Sequence, residues 1–484
     1  MNWRWWRTRA RWIDRFAPTP SLSLLLPLLL LFAWDVSRAM QAGFWIDECS
    51  AYWLSQHLAQ MVRPPFGLAN LSLLYATLLS AFAGAEPPWF EAVARLPSLL
   101  AAIGCAAVLY SLSERVNGKG TGWMAALLYA VLSTTLDFAT EARPYALAQL
   151  VFAGTLWWMH AWLAACLSGG RYLAAHALGL VILVYLQPFF ALVWPLCAIY
   201  VWFTRPDLRW RYGVALLAAA GCLAPVGYVV WRSTVKVSTI AYLAPPAWRD
   251  LAWDLLQDRV GPTLLIVGAL AWIAKAWRRP GPLAPWAAIW LAWPLVLFGL
   301  ARLTGSAFYT PRYLALSAVG FALLGAGGLA AMRPVWRYAG MMLVLLLHVA
   351  PGSRARQLRD GDLRPLANWL EFGGGAGAPW LANSLLVESS VPNPAPPAEQ
   401  LAAWEFAHLS TYPVPNPVFP MPWAFAEFAR PALEAQLDGP WKAQPRILAG
   451  PLRTPSPAWL VECFVRRGYR YTRLGDMHEF ARPQ

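Results

Sequence analysis

Charge is scarce in this chain. Only 13% of its 484 residues are Asp, Glu, Lys or Arg, against about 25% in a soluble globular chain. With 58% hydrophobic residues and a mean hydropathy of +0.42, this excludes a disordered protein and argues against a purely soluble enzyme. Lysine is scarcer still: it stands only at 119, 236, 275 and 442, so the 39 basic residues are nearly all Arg. Cysteine is sparse as well, with six and no CxxC or metal-like spacing. Cys105, Cys166, Cys197 and Cys222 lie in apolar runs and read as small hydrophobes. Cys49 and Cys463 fall outside the runs, and a bridge between them is left open. No GxxxxGK(S/T), GxSxG or HExxH occurs, and the six His are scattered without a metal-ligand cluster. No repeat of short period is visible.

Tryptophan and long apolar runs are abundant: there are 30 Trp. The runs lie near 21–34, 96–112, 121–137, 145–166, 172–186, 189–203, 212–231, 260–274, 283–300, 313–331 and 337–351. The fold class read from them is an all-α polytopic membrane protein. The net charge of +14 has its explanation in topology rather than nucleic acid, because the charges sit between the runs. The first 20 residues hold five Arg, and basic loops follow at Arg115/Lys119, Arg171, Arg205/Arg209/Arg211, Lys275/Arg278/Arg279 and Arg333/Arg337. Their basic density is roughly three times that of the alternate loops, which gives about 11 spans with the N-terminus inside. The stretch 67–83 breaks this parity if it crosses. It is therefore placed as an embedded or re-entrant helix in the first outer loop (38–95); a twelfth span is the other reading. The expected organisation is a cytoplasmic N-terminus over 1–20, a membrane domain over 21–351 and a small α/β extracytoplasmic domain over 352–484. In that tail WLANSLLV and YRYTRL read as strands, and LRPLANWLEF and PAWLVECFVRRG as helices.

The ionisable residues that attract attention sit at span ends on the expected outer side, where charge is costly and usually functional. Asp47-Glu48 lie in AGFWIDECSAYWLSQHLAQM. The plain structural reading has Asp47 capping a helix that opens at Glu48, with Tyr52, Trp53, Leu58 and Met61 turned to the membrane surface. The functional reading is a general base at that surface. Glu141 and Arg143 lie in TLDFATEARPYALAQ, read either as a local ion pair or as a phosphate or metal site, with Pro144 opening the next helix. Arg63 precedes Pro64-Pro65. Arg302, Tyr309, Arg312 and Tyr313 share a short outer loop, which reads as an anion site or as interfacial anchoring. Asp250, Asp254 and Asp258 have helical spacing and read as a solvated face.

Taken in order, these motifs resemble a known group. An aromatic-x-DE motif is followed by RPPFGLANLSLLY, RLPSLL, EARPYAL and PRYL. Over roughly residues 20–350 the chain resembles integral-membrane glycosyltransferases of the GT-C fold, and within them glycosyltransferase family 39. That group includes protein mannosyltransferases, lipid A aminoarabinose transferases and lipopolysaccharide-core galacturonosyl transferases. The resemblance implies a polyprenyl-monophosphate sugar donor and a hydroxyl acceptor (lipid A, a glycan or a protein). The site would lie at the outer face of the cytoplasmic, or inner, membrane among membrane lipid, with no nucleic acid partner. It implies Asp47 as catalytic base with Glu48 beside it, and Glu141 near the donor phosphate. Arg63, Arg143 and Arg312 would hold the phosphate, and Tyr145, Tyr309 and Tyr313 would line the substrate site. The family's HPPLYY-like pattern lacks its His and acid here, so metal binding is left open: Asp47, Glu48 and Glu141 could hold a divalent cation or none. A lipid-linked sugar flippase and a non-catalytic carrier-lipid binder are the alternatives.

Overall fold

A computed structural model describes residues 29, 33, 37, 41–61, 72–84, 89–165, 169–228, 247–249, 283–304, 311–349, 363–373, 375–384, 411–412, 414–422, 425, 427–450 and 456–483. The helices are α1 Ile46–Gln56, α2 Leu58–Met61, α3 Leu73–Ser80, α4 Phe90–Val116, α5 Gly122–Val131, α6 Ser133–Ala139, α7 Tyr145–Ala165, α8 Gly170–Leu186, α9 Val193–Thr204, α10 Arg209–Gly221, α11 Leu283–Thr304, α12 Ser317–Ala331, α13 Pro334–Val349, α14 Leu363–Phe372, α15 Arg430–Asp438 and α16 Ala458–Val465. The strands are β1 Trp380–Ser384, β2 Val418–Pro422, β3 Arg446–Gly450, β4 Arg470–Leu474 and β5 Met477–Ala481. They form two compact units. One comprises Met1–Gln41, Asn70–Ser233 and Ile240–Leu358; the other comprises Ala42–Ala69, Thr234–Thr239 and Arg359–Gln484.

The first unit is helical. Its α4 buries the stripe Ala94, Ser98, Ala102, Cys105, Leu109 and Leu112, while Leu96 and Leu100 remain exposed. A helix apolar on every face belongs in lipid or in a protein core. At 27 residues, α4 is the one described helix long and apolar enough by itself to cross a membrane; the other apolar helices are shorter. Most of the expected first and eighth spans lies outside the described residues. The expected span 121–137 is two helices, because Leu132 turns to an extended conformation (ψ 133°) at the start of Ser133-Thr134-Thr135, residues whose side chains compete with helix bonds. Within 67–83, α3 has eight residues. It is about 12 Å long, too short to cross roughly 30 Å of hydrocarbon.

The turn between α4 and α5 shows how the sequence sets local structure. Gly118 (φ 108°) and Gly120 (φ 79°) occupy left-handed positions that favour glycine. Glu114 reaches over the turn and accepts the N–H groups of Gly120 (3.0 Å) and Gly122 (2.7 Å). Asn117 donates to the Leu323 carbonyl at 3.1 Å, tying the turn to α12. The arginines of the basic loops close helix ends. Arg205 donates to the Leu163 carbonyl of α7 (2.5 Å), Arg209 to that of Trp202 in α9 (2.9 Å), and Arg337 to that of Ala330 in α12 (3.0 Å). Cations suit helix C-termini, where carbonyls lack partners. Arg115 and Arg209 also lie over the rings of Trp157 and Trp202, both at 4.4 Å. Arg205 grips Asp207 with two further bonds, and this holds the Asp207 carboxyl below its ordinary pKa.

The second unit contains a five-stranded sheet of order β2-β1-β3-β5-β4. β2, β1 and β3 are parallel; β5 pairs antiparallel with β3 and β4. The strands alternate in the expected period of two. Leu381, Phe419, Met421, Ile447, Ala449 and Phe480 form one core with α15 and α16. Trp380, Ala382, Val418, Leu448 and Met477 form another with α14. The sheet is thus covered on both faces, as its parallel strands require. Gly475 (φ 66°) opens the two-residue hairpin between β4 and β5. The two strands and two helices read from the sequence of the tail are β1, β4, α14 and α16. Cys49 and Cys463 are both buried and do not form a bridge. The Cys463 thiol donates to Glu434 (3.2 Å), and burial pushes its pKa up to about 11.

Candidate active site

The aromatic-x-DE motif belongs to the second unit, with the tail, although the sequence reading assigns it to the membrane domain. Its helix α1 opens two residues earlier than expected. Trp45 is the cap: its carbonyl accepts the N–H groups of Glu48 (2.9 Å) and Cys49 (3.0 Å). Glu48 reaches back to the Trp45 N–H at a long 3.4 Å, in the manner of a capping box. The expected capping by Asp47 is therefore corrected. Asp47 stands in the first turn, nine-tenths buried, and Glu48 is wholly buried. Both residues stand in the first turn, at the N-terminal end of the helix dipole.

The surface role expected of Tyr52 and Trp53 is also corrected. Every residue from Ala51 to Ser55 is buried, more than a full turn, so α1 is enclosed rather than laid on a surface. Tyr52 meets Phe44 with ring centroids 5.5 Å apart, and Trp53 stacks on His57 at 4.1 Å. Burial raises the Tyr52 hydroxyl pKa, so that it stays protonated. Leu58 is half-buried. Three residues before Asp47, the Phe44 N–H donates to Tyr412 Oη (2.6 Å) and its carbonyl accepts the Leu363 N–H (3.0 Å).

In the first unit, α6 ends where Thr140 Oγ1 takes up the Leu136 carbonyl (2.8 Å). Residues 141–144 form a buried turn in which the Arg143 N–H donates to the Glu141 carbonyl (2.8 Å). Pro144 sits at the cap of α7, its carbonyl accepting the Ala148 N–H (2.8 Å), so it lies one position before the expected first turn. Glu141 is completely buried and Arg143 is 8% exposed. Arg143 Nη2 donates to Tyr145 Oη (3.3 Å), and Tyr145 packs against Phe138 with centroids 5.0 Å apart. Two charges in so short a buried turn are expensive to desolvate.

Two polar relays hold this turn. Ser98 Oγ donates to the Arg143 carbonyl (3.0 Å) and lies 2.8 Å from Tyr75 Oη. Ser98 has one proton, so Tyr75 is the donor of the second bond. One turn beyond Tyr145, Gln149 accepts from Tyr129 Oη (2.6 Å) and donates Nε2–H to the Ala315 carbonyl (2.9 Å). Ala315 follows the short 3₁₀ helix Pro311–Leu314, which carries a half-buried Arg312. Arg302 is exposed at the end of α11.

Glu141, Arg143, Tyr145 and Arg312 therefore share the first unit, whereas Asp47 and Glu48 belong to the second. Arg63, Tyr309, the side chain of Tyr313, and Asp250, Asp254 and Asp258 lie outside the described residues. Among the described residues no group of three or more His, Cys, Asp or Glu side chains converges as metal ligands would. Sequence reasoning missed Glu91 and Arg95, both buried on α4. The signal was there: an i, i+4 pair of opposite charge at the mouth of an apolar run. It also missed Tyr75, Ser98, Tyr129 and Gln149, which no local pattern distinguishes.

The arrangement has counterparts among solved structures. ArnT from Cupriavidus metallidurans in the apo state aligns over 99% of this chain and 100% of its own, with a TM-score of 0.53 and 12% identity. The same protein bound to undecaprenyl phosphate aligns over 96% and 99%, with a TM-score of 0.55 and 14% identity. The chain has the GT-C fold. The archaeal oligosaccharyltransferase AglB from Archaeoglobus fulgidus, in complex with an inhibitory peptide and a dolichol-phosphate, carries this fold too. It aligns over 96% of this chain and 74% of its own, with a TM-score of 0.53 and 12% identity. A mostly helical chain with one small sheet fits that architecture. No protein-family model and no curated protein matches the sequence.

Proposed function

We propose that this protein is a membrane glycosyltransferase that moves a sugar from a polyprenyl-monophosphate donor to a hydroxyl acceptor at the outer face of the cytoplasmic membrane. The observation that carries the reading is the buried, charged Glu141–Arg143 turn, in a fold whose ArnT example holds undecaprenyl phosphate. Buried charge of this kind is retained where it acts on a ligand.

In this reading Asp47 takes the proton of the acceptor hydroxyl, whose oxygen attacks the anomeric carbon as the bond to the lipid phosphate breaks, with inversion. Arg143 and Arg312, with Arg63, stabilise the phosphate charge as it develops. Fixed charges act most strongly at such a point when water is excluded. Glu48 supports α1 through the Trp45 N–H. Glu141 completes the polar surroundings of the phosphate, Tyr145 holds Arg143, and Tyr309 and Tyr313 line the sugar site.

The test is release of polyprenyl phosphate from a panel of polyprenyl-phosphate sugars, with the purified chain in lipid and a mixed acceptor extract. Asp47→Asn is expected to lower turnover by about 10²–10⁴-fold, the usual contribution of a general base. Near-normal turnover in that variant removes Asp47 from the role of base. Tight donor binding with no release in the wild type favours a flippase or carrier-lipid binder instead.

A further inference from the structure

Arg312 and the Glu141–Tyr145 turn are far apart in sequence, yet one side chain spans the elements that carry them. Gln149 lies one helical turn from Tyr145 on α7, on the same face. Its Nε2–H donates to the Ala315 carbonyl, at the break where the 3₁₀ helix bearing Arg312 gives way to α12. At that break the Ala315 carbonyl also receives the Ala318 N–H, at 3.3 Å. The Gln149 amide is itself oriented: a carbonyl only accepts, so Nε2 faces Ala315, and Oε1 is held by the Tyr129 hydroxyl at 2.6 Å. Both Tyr129 and Gln149 are fully buried, where a satisfied network is rigid and a broken one is costly.

We infer that Gln149, oriented by Tyr129, is a positioning residue for the donor-phosphate site, setting the register of the Arg312 turn against the Glu141–Tyr145 turn. The inference rests on the proposed function. It adds that phosphate affinity depends on an amide with no charge that touches no ligand. Because the amide donates to a backbone carbonyl, it positions the 3₁₀ turn itself rather than a single side chain.

The test measures binding of undecaprenyl phosphate to the detergent-solubilised full chain in four forms: wild type, Gln149→Leu, Arg312→Gln and the double variant. Gln149→Leu is expected to weaken binding about tenfold, the scale of one lost buried hydrogen bond. In the Arg312→Gln background it should weaken binding no further, because the effect passes through Arg312. Gln149→Met keeps a similar length and loses both the donor and the acceptor, so it should match Gln149→Leu. Tyr129→Phe keeps the bond to Ala315 and should lose less. Unchanged binding in Gln149→Leu, or losses that simply add in the double variant, overturns the inference and leaves the proposed function standing. Unchanged binding in Arg312→Gln overturns the phosphate role of Arg312 and the inference with it.

Discussion

Replacing Ser98 by Ala tests the physical account of the site at its most constrained point. The Ser98 hydroxyl makes two buried bonds, accepting from Tyr75 Oη at 2.8 Å and donating to the Arg143 carbonyl at 3.0 Å. Its removal takes one buried bond from the Tyr75 phenol and one from the Arg143 carbonyl, and Ser98 itself has no exposed surface. At about 1–2 kcal/mol for each group, the loss is about 2–4 kcal/mol. For a chain of this size about 1 kcal/mol corresponds to roughly 1 °C, so the apparent melting temperature should fall by about 2–4 °C. Cys105, Cys197 and Cys463 are buried thiols and Cys222 is an exposed one, so in a Cys222→Ser background a thiol-reactive fluorophore reports unfolding in detergent. Tyr75→Phe alone leaves the bond to Arg143 in place and should cost about 1 kcal/mol. Added to Ser98→Ala, Tyr75→Phe has no bond to Ser98 left to break, so it should cost less than it does alone. A change below about 1 °C in Ser98→Ala, or strictly additive losses in the pair, would refute the relay.

Gly122→Ala would put a Cβ 2.7 Å from the Tyr110 carbonyl oxygen, a backbone atom that cannot step aside. Overpacking of this kind costs about 1–3 kcal/mol, whereas Gly170→Ala, with nothing within 4 Å, should be neutral or slightly stabilising. Equal melting temperatures for the two variants would contradict the packing of α5 on α4. In the tail, Arg467 holds the Asp438 carboxyl below its ordinary pKa, and the Cys463 thiol and then Arg430 do the same for Glu434. A depressed carboxylate contributes stability that is complete above its unfolded value of about 4 and is lost as the pH falls through the folded value. Below about pH 4 the wild type should therefore lose more thermal stability than an Asp438→Asn, Glu434→Gln double variant. The difference should be small, because the Asp438 side chain is 63% exposed; identical acid profiles would remove these pairs from the account.

The legible parts were those with a local cause. Gly118 and Gly120 announce a turn, YRYTRL a strand and LRPLANWLEF an amphipathic helix, because each depends on neighbours a few residues away. EARPYAL could be singled out because charge beside an apolar run is rare at any position. The errors have equally local origins. Placing the cap at Asp47 followed the preference of Asp for that position, but the extended Trp45 and the reach of Glu48 started the helix earlier. Turning Tyr52 and Trp53 to a membrane surface followed their amphipathic character. That reading had no means of knowing that the whole turn Ala51–Ser55 is enclosed.

What the sequence by itself determined is the mostly helical class of the protein and where its acid and arginine motifs fall along the chain. Sparse charge, long apolar runs and ordered acid and arginine motifs are properties of composition and spacing, and they survive without coordinates. What only the tertiary structure decided is which residues hold those motifs in place. Tyr75, Ser98, Tyr129 and Gln149 are unremarked in the sequence, because a buried hydrogen bond is defined by its partner, and the partner of Gln149 lies 166 residues away. The joining of the aromatic-x-DE motif to the tail has the same cause: Phe44 meets Tyr412 across 368 residues. Contacts of that range follow from how the chain closes on itself rather than from any local pattern.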